Sequence, residues 1–378
     1  MIYLDYSATT PVSLEVQDTI NKVTREFIGN ANSINGLGIK SKNLLISATK
    51  QIAEEFNILE SEITYTSSST ESNNIALIGV SLANFKRGKH IIVSKLEHPS
   101  IYNICSYLET IGFEISYVNS DKDGLIDFEH LKKLIREDTI LVSISAVNSE
   151  LGIRQPLKMI RQIIKKVNPN IYLHSDMTQG VGKIAVSLHD VDLATISSHK
   201  IYGPKGISLL YCNSTVKIKP IMYGSGKNND LNPSTPALPL IAGFSKAIRI
   251  ALNDIEKKEK YINLLNERLC THFSKYPDIL INKTKYSIPH ILNISLMNIK
   301  PETFIHALDS DEVYVSTNTA CSSGELSSSV MVLYNDVKRA SHTIRISLSS
   351  MTTSEEIDKF IQIFDKNYET LNSLVKKD

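Results

Sequence analysis

A chain of 378 residues, 42% hydrophobic and 21% charged, exceeds what one apolar core fills, so a large domain with a smaller companion is expected. A formal net charge of +1 leaves no electrostatic footprint for nucleic acid or an anionic membrane surface, and no apolar run reaches spanning length. The four cysteines (Cys105, Cys212, Cys270, Cys321) are scattered and form no C-x-x-C, which argues against a disulfide framework and against a zinc site; no metal is expected. Met1-Ile2-Tyr3-Leu4-Asp5 carries no basic stretch followed by an apolar one, so a cytoplasmic home is expected.

In chain order, residues 1–11 read as an extended arm ending at Pro11. Leu14 to Phe27 is helical in pattern, a turn-rich break runs from Gly29 to Gly36, and Ile39 to Phe56 repeats apolar residues at helical spacing. Strand-like runs at 62–66, 90–94, 114–118, 140–146 and 171–174 then alternate with helical ones at 73–85, 100–110, 128–135 and 157–166. This alternation predicts an α/β fold, a mostly parallel sheet with helices on both faces. Val191 to Ile196 and Ile207 to Tyr211 are further strands, on either side of a Gly-Pro-Gly loop. Gly224 to Pro239 is irregular, Leu240 to Phe273 is one long helical region, and the last hundred residues or so describe a small α+β domain. The predicted division is 12–255 for the large domain, with 1–11 and 256–378 forming the small one.

Ligands of such sheets bind where strands end, so the loops after strands are the places to look for chemistry. Ser67-Ser68-Ser69-Thr70-Glu71 precedes a helix and supplies hydroxyls beside free N–H groups, a phosphate cradle as well as a cap. Glu97-His98-Pro99 and Asn148-Ser149-Glu150 follow two other strands. Asp176 ends a buried strand, where a carboxylate is costly unless something cationic faces it; a protonated pyridine nitrogen would serve. Lys200, in Ser197-Ser198-His199-Lys200, lies just past another strand end, where desolvation favours the neutral amine that forms Schiff bases. A phosphate cradle, an aspartate and a lysine so disposed are what pyridoxal 5'-phosphate requires.

The chain resembles the class V aminotransferases of pyridoxal-phosphate fold type I and, among them, the class I cysteine desulfurases of the NifS/IscS type. The likeness runs from Tyr3-Leu4-Asp5-Tyr6-Ser7-Ala8-Thr9-Thr10-Pro11 through Thr70-Glu71-Ser72-Asn73-Asn74, Glu97-His98-Pro99, His174-Ser175-Asp176-Met177-Thr178-Gln179 and Val181-Gly182-Lys183. It continues through Ser197-Ser198-His199-Lys200-Ile201-Tyr202-Gly203-Pro204-Lys205-Gly206 to Ala320-Cys321-Ser322-Ser323-Gly324 and Ile344-Arg345-Ile346-Ser347-Leu348. It implies a large domain with a seven-stranded type of sheet and a small domain carrying a cysteine loop. By resemblance, Lys200 is the Schiff-base lysine, Asp176 the partner of the ring nitrogen, and Gln179 the donor to the ring hydroxyl, with Ser149 near it. Ser69, Thr70, Ser197 and His199 hold the phosphate, and Thr235 reaches the phosphate of the opposite subunit. His98 stacks on the ring and assists proton transfer, Arg345 with Asn148 binds the substrate carboxylate, and Cys321 is the nucleophile. The implied reaction converts L-cysteine to L-alanine with sulfur held as a persulfide on Cys321. The implied partners are a second copy of the chain and a sulfur acceptor, an iron–sulfur scaffold or a tRNA-thiolation enzyme. The competing readings are a C–S or selenocysteine lyase and a degenerate paralogue serving as a dimeric scaffold.

Several positions depart from the family pattern. Ser68 and Ser198 stand where the family has glycines, Asn35 where it has a histidine, and Ser149 where it has an asparagine. Ser349-Ser350 replaces Gly-Arg. In Gly224 to Thr235 two arginines of the family are missing while Thr235 is kept.

Overall fold

The computed structural model describes residues 1–224, 231–317 and 326–375. The strands are β1 (Ile2–Tyr3), β2 (Ile63–Thr66), β3 (His90–Ser94), β4 (Glu114–Val118), β5 (Thr139–Ser143), β6 (Tyr172–Asp176), β7 (Leu193–Ser197) and β8 (Ser208–Cys212). They continue with β9 (Ile279–Ile281), β10 (Ile291–Leu296), β11 (Val313–Tyr314) and β12 (Thr343–Ser347). Seven of them, in the order β2-β8-β7-β6-β5-β3-β4, form the central sheet. Only β8 runs against its neighbours; all the other pairings in this sheet are parallel. Every residue of β3, β5 and β7 is buried, as apolar runs covered by helices on both faces should be.

A second sheet, β12-β10-β9, is antiparallel, and β1 pairs with β11. The apolar core separates accordingly. One cluster draws on residues from Val16 to Ala251, and another joins Ile2 and Leu4 to residues from Ile262 to Tyr368. The N-terminal arm therefore packs with the C-terminal third. It is tied there by Ser347 N donating to Leu4 O at 2.7 Å and by Ser7 N donating to Ser347 Oγ at 2.9 Å.

Most strand and helix assignments from the sequence fall within a few residues of the observed ones, and the differences have local causes. The helix expected from Ile39 begins at Gly36, because the Asn35 side chain accepts from Gly38 N at 2.9 Å. The single helix expected over 240–273 is two, Leu238–Leu252 and Ile255–Phe273. The chain turns at Asp254, whose φ of 55° lies in the left-handed region that aspartate tolerates. The short β9 was not anticipated, nor were the helices Ser328–Tyr334 and Val337–Ser341. Among the described residues no helix is long and apolar enough to cross a membrane, and no cluster of His, Cys, Asp or Glu could hold a metal ion.

Candidate active site

A cleft of about 290 Å³ opens where the strands of the central sheet end. It is lined by Ser68, Ser69 and Thr70 after β2, His98 after β3, Ser145, Val147 and Ser149 after β5, Asp176 and Gln179 at the end of β6, and His199 and Lys200 after β7; Ser7 and Arg345 close it from the other side. Nine of the residues singled out in the sequence thus share one cavity. Three do not line it. The Asn148 amide donates to Leu96 O and Ser329 Oγ while its Oδ1 accepts from the N–H groups of Glu150 and Leu151, so the side chain holds a turn together rather than facing the cleft. Ser197 is buried in the sheet, its hydroxyl accepting from Ser208 Oγ. Thr235 is exposed. Cys321 lies outside the described residues. Its flanks lie beside this wall: Ser316 pairs with Arg345 through both backbone hydrogen bonds, and Ser327 donates to Glu150.

Asp176 ends β6 with its carboxylate held from two sides. Oδ1 accepts from Thr178 N at 2.9 Å, and Oδ2 accepts from Asn73 Nδ2 at 3.0 Å. The second Asn73 hydrogen goes to Ser100 Oγ at 3.1 Å, and Ser100 in turn meets His98 Nδ1 through its Oγ at 2.9 Å and its backbone N–H at 3.2 Å. Since Nδ1 accepts the backbone proton, the His98 proton resides on Nε2. Burial lowers the His98 pKa, as do Lys200 and Arg345 against the opposing pull of Asp176, so the ring is neutral near pH 7. Asn73 was quoted in the sequence motif without a role; its signal is only its position one helical turn past the phosphate loop.

Lys200 sits on the single turn Ser198–Lys200 that follows β7, and its Nζ donates to the carbonyls of Ser7 and Ala8 at 2.6 and 2.7 Å. His199 beside it is held by Thr9 Oγ1 at 3.1 Å; burial, then the charges of Lys200, Lys205 and Lys183, push its pKa down to about 4. Arg345, on β12, is 1% exposed and spans the two halves of the molecule. Its guanidinium donates to Asp5 Oδ1 and to Ser149 O, each at 3.1 Å.

The substituted positions have physical accounts here. Ser68 adopts extended backbone and caps the helix Ser69–Asn84 by accepting from Glu71 N at 3.1 Å. Ser198 fits because residue 203 is glycine: a Cβ there would stand 2.1 Å from Ser198 Oγ. Ser349 accepts from Met351 N at 2.9 Å and hydrogen-bonds the Tyr202 hydroxyl.

The family model Aminotransferase class-V matches residues 2–360. The chain belongs to the class V aminotransferase family. Pyridoxal phosphate is the cofactor of that family, and the residues present fit it. A buried carboxylate ends β6 in the cleft, hydroxyls of Ser69 and Thr70 stand at a helix start, and Ser7 Oγ, Thr178 Oγ1 and Arg345 Nε are buried without protein partners among the described residues. Among family members, the chain is 36% identical to a protein named cysteine desulfurase IscS from Dictyoglomus turgidum, covering 99% of this chain and 96% of that one. It is 34% identical to cysteine desulfurase IscS 1 of Archaeoglobus fulgidus, covering 99% and 98%. Among solved structures, a NifS-like protein superposes with a TM-score of 0.93 at 34% identity over 98% of this chain and all of that one. Another, SspA in complex with cysteine, matches with a TM-score of 0.81 at 26% identity over 93% of this chain.

Proposed function

We propose that the chain is a cysteine desulfurase that moves the sulfur of L-cysteine onto Cys321 and releases L-alanine. The observation that carries this reading is the meeting of Lys200, Asp176 and Arg345 in one cleft whose far wall adjoins both flanks of the Cys321 segment. The names of the full-length relatives point the same way.

In this reading Ser69, Thr70 and His199 would hold the cofactor phosphate, Lys200 would anchor its aldehyde carbon, and Gln179 and Ser149 would serve the ring hydroxyl. Asp176, fixed by Asn73 and Thr178, keeps a proton on the ring nitrogen. When bound, the cofactor supplies an electron sink conjugated to the substrate Cα. Arg345 binds the substrate carboxylate through its guanidinium, a bidentate task. With the cofactor bound, the Lys200 amine would take the Cα proton, and neutral His98 is placed to relay one. The Cys321 thiolate attacks the substrate sulfur: an S–S bond forms, the C–S bond breaks and its electron pair stays on the carbon side, and protonation of Cβ followed by return of a proton to Cα yields alanine. Asn148 positions the turn that carries Ser149, whose carbonyl Arg345 also holds, and so acts on the carboxylate site indirectly.

Residues 12–255 form the cofactor domain and 1–11 with 256–378 the smaller one, which the separation of the two apolar cores supports. The enzyme is a cytoplasmic homodimer. A second copy would cover the exposed apolar residues at the break between the first two helices, Ile34 at 96% exposure, Ile28 and the adjoining Leu37, and Thr235 then serves the partner's phosphate. The acceptor of the sulfur is an iron–sulfur scaffold or a tRNA-thiolation enzyme.

The test is to supply purified, pyridoxal-phosphate-loaded protein with L-cysteine and to measure alanine, together with a mass shift of one sulfur on the peptide bearing Cys321. Cys321→Ala should keep the visible cofactor absorbance and lose both products. Continued sulfide release by that variant would make the protein a lyase, and a protein that takes up no cofactor would be a scaffold.

A further inference from the structure

Behind the cleft lies a second cavity of about 190 Å³, lined by Lys183, Lys258, His290 and Tyr202 and sharing Lys200 with the first. Gln179 stands between the two. Its Nε2 donates to Ser7 O at 2.9 Å on the cleft side, and its Oε1 accepts from Lys183 Nζ on the other. With Oε1 engaged by the amine and one N–H by Ser7 O, the remaining N–H of the amide is left as a donor toward the cleft.

Lys183 is 8% exposed, and no carboxylate lies within ion-pair distance of it among the described residues. The ionisable groups facing it are Lys200 and Arg345 from the cleft, with Lys258, His290, Tyr6 and Tyr202 around the second cavity. Asp176, on the opposite wall, is engaged by Asn73 and Thr178. His290 is buried and neutral, its pKa pushed down to about 3 by burial and then by Lys183, and its Nδ1 has no partner. Burial, then Lys200 and Arg345, likewise hold the Lys183 amine well below the ordinary lysine range. A cation so placed is costly until an anion arrives. An oxyanion on the other side of Gln179 would relieve that cost, and the relief is reciprocal: what the oxyanion does for Lys183, Lys183 does for the oxyanion.

We propose that Lys183 is a positioning residue that holds Gln179 as a donor toward the cofactor ring hydroxyl and lowers the pH at which the bound cofactor loses its proton. The proposal rests on the pyridoxal phosphate reading of the cleft. Its test is a pH titration of the visible absorbance of the cofactor-loaded protein, without substrate. In Lys183→Met, loss of both charge and donor should raise the midpoint by about one pH unit, the size of one ordinary hydrogen bond or weak charge pair. Lys183→Arg should return most of that shift, and Lys183→Gln, which keeps a donor without the charge, should fall between. Should Lys183→Met not fold, the Gln and Arg variants make the same comparison. Midpoints equal to wild type in variants that bind cofactor overturn the role of Lys183 and leave the cofactor reading standing. A wild-type protein with no visible band overturns both.

Discussion

On the sheet side of the cleft, Asp176 and His98 are partnered by residues of the same half of the molecule. Asp176 is held by Asn73 from the adjoining helix and by Thr178 two residues on, and His98 by Ser100 in its own first turn. On the facing side, partners cross between the two apolar cores. Arg345 of β12 grips Asp5 of the N-terminal arm and the carbonyl of Ser149 from the central sheet, and the Lys200 amine rests on arm carbonyls. The first wall is held by bonds within one half of the molecule, which suits a surface that keeps a ring in one plane. The second is assembled from distant parts of the chain and keeps a spare donor, Arg345 Nε. We take that difference to mark the division of labour between cofactor and substrate.

If so, the largest effect should come from the crossing wall. Arg345→Lys keeps a charge but loses the planar fork, so kcat/KM for L-cysteine should fall roughly a hundredfold, the worth of one or two charge-assisted hydrogen bonds. The cofactor absorbance should persist, because no cofactor-wall residue is touched. The melting temperature should also drop, since Asp5 and Ser149 O lose their donor. Loss of cofactor instead of substrate affinity would erase the contrast between the walls.

A second probe lies behind the sheet wall. Glu97 is buried, accepts from Ser145 N at 2.7 Å and hydrogen-bonds Ser145 Oγ, and burial raises its pKa from 4.5 to about 8. A carboxyl raised on folding contributes stability that is complete below its unfolded pKa and is lost as pH rises through the folded one. The buried histidines His174 and His290, lowered to about 4 and about 3, act in the other direction, costing stability as pH falls below about 6.5. Between about pH 6.5 and 8 the Glu97 slope therefore stands clear of theirs, at up to about 1.4 kcal/mol per pH unit. Urea unfolding across that window should show wild type losing stability relative to Glu97→Gln, whose amide can make both hydrogen bonds without a charge. Parallel curves would mean that Glu97 is ionised in the fold.

What could be read from the chain follows from the same contrast. Asp176, Lys200 and the Ser69-Thr70 pair stand at the ends of apolar runs, and a polar residue at a buried strand end is visible as an anomaly in one dimension. Arg345 is not anomalous in that way, since an arginine alternating with isoleucines reads as an edge strand; its pairing with Asp5 closes a loop of nearly the whole chain, and only the family resemblance pointed to it. Lys183 was legible only as part of a Gly-Lys turn, because what makes it unusual is the lack of a carboxylate in three dimensions. Asn148 was assigned to the substrate by the same resemblance, but its amide is spent on its own turn and on Ser329. Polar residues that serve neighbours in space rather than in sequence leave no periodic signal.

The smallest effect belongs to Ser68, and it separates two jobs that the phosphate loop performs at once. Its hydroxyl accepts from Glu71 N, while the Glu71 carboxylate reaches back to Ser67 N at 2.6 Å, so the first turn of Ser69–Asn84 is fixed from both ends. Ser68→Ala should cost about 1 kcal/mol of stability, an ordinary cap. Ser68→Gly should cost only a few tenths, because water can reach the freed N–H and the extended backbone suits any residue. Cofactor affinity should follow the same order and remain close to wild type in both variants, since Ser69 and Thr70 keep their hydroxyls. A larger loss of cofactor than of stability in Ser68→Ala would place the Ser68 hydroxyl on the phosphate itself, and the sheet wall would then depend on its ligand for order as much as the crossing wall does.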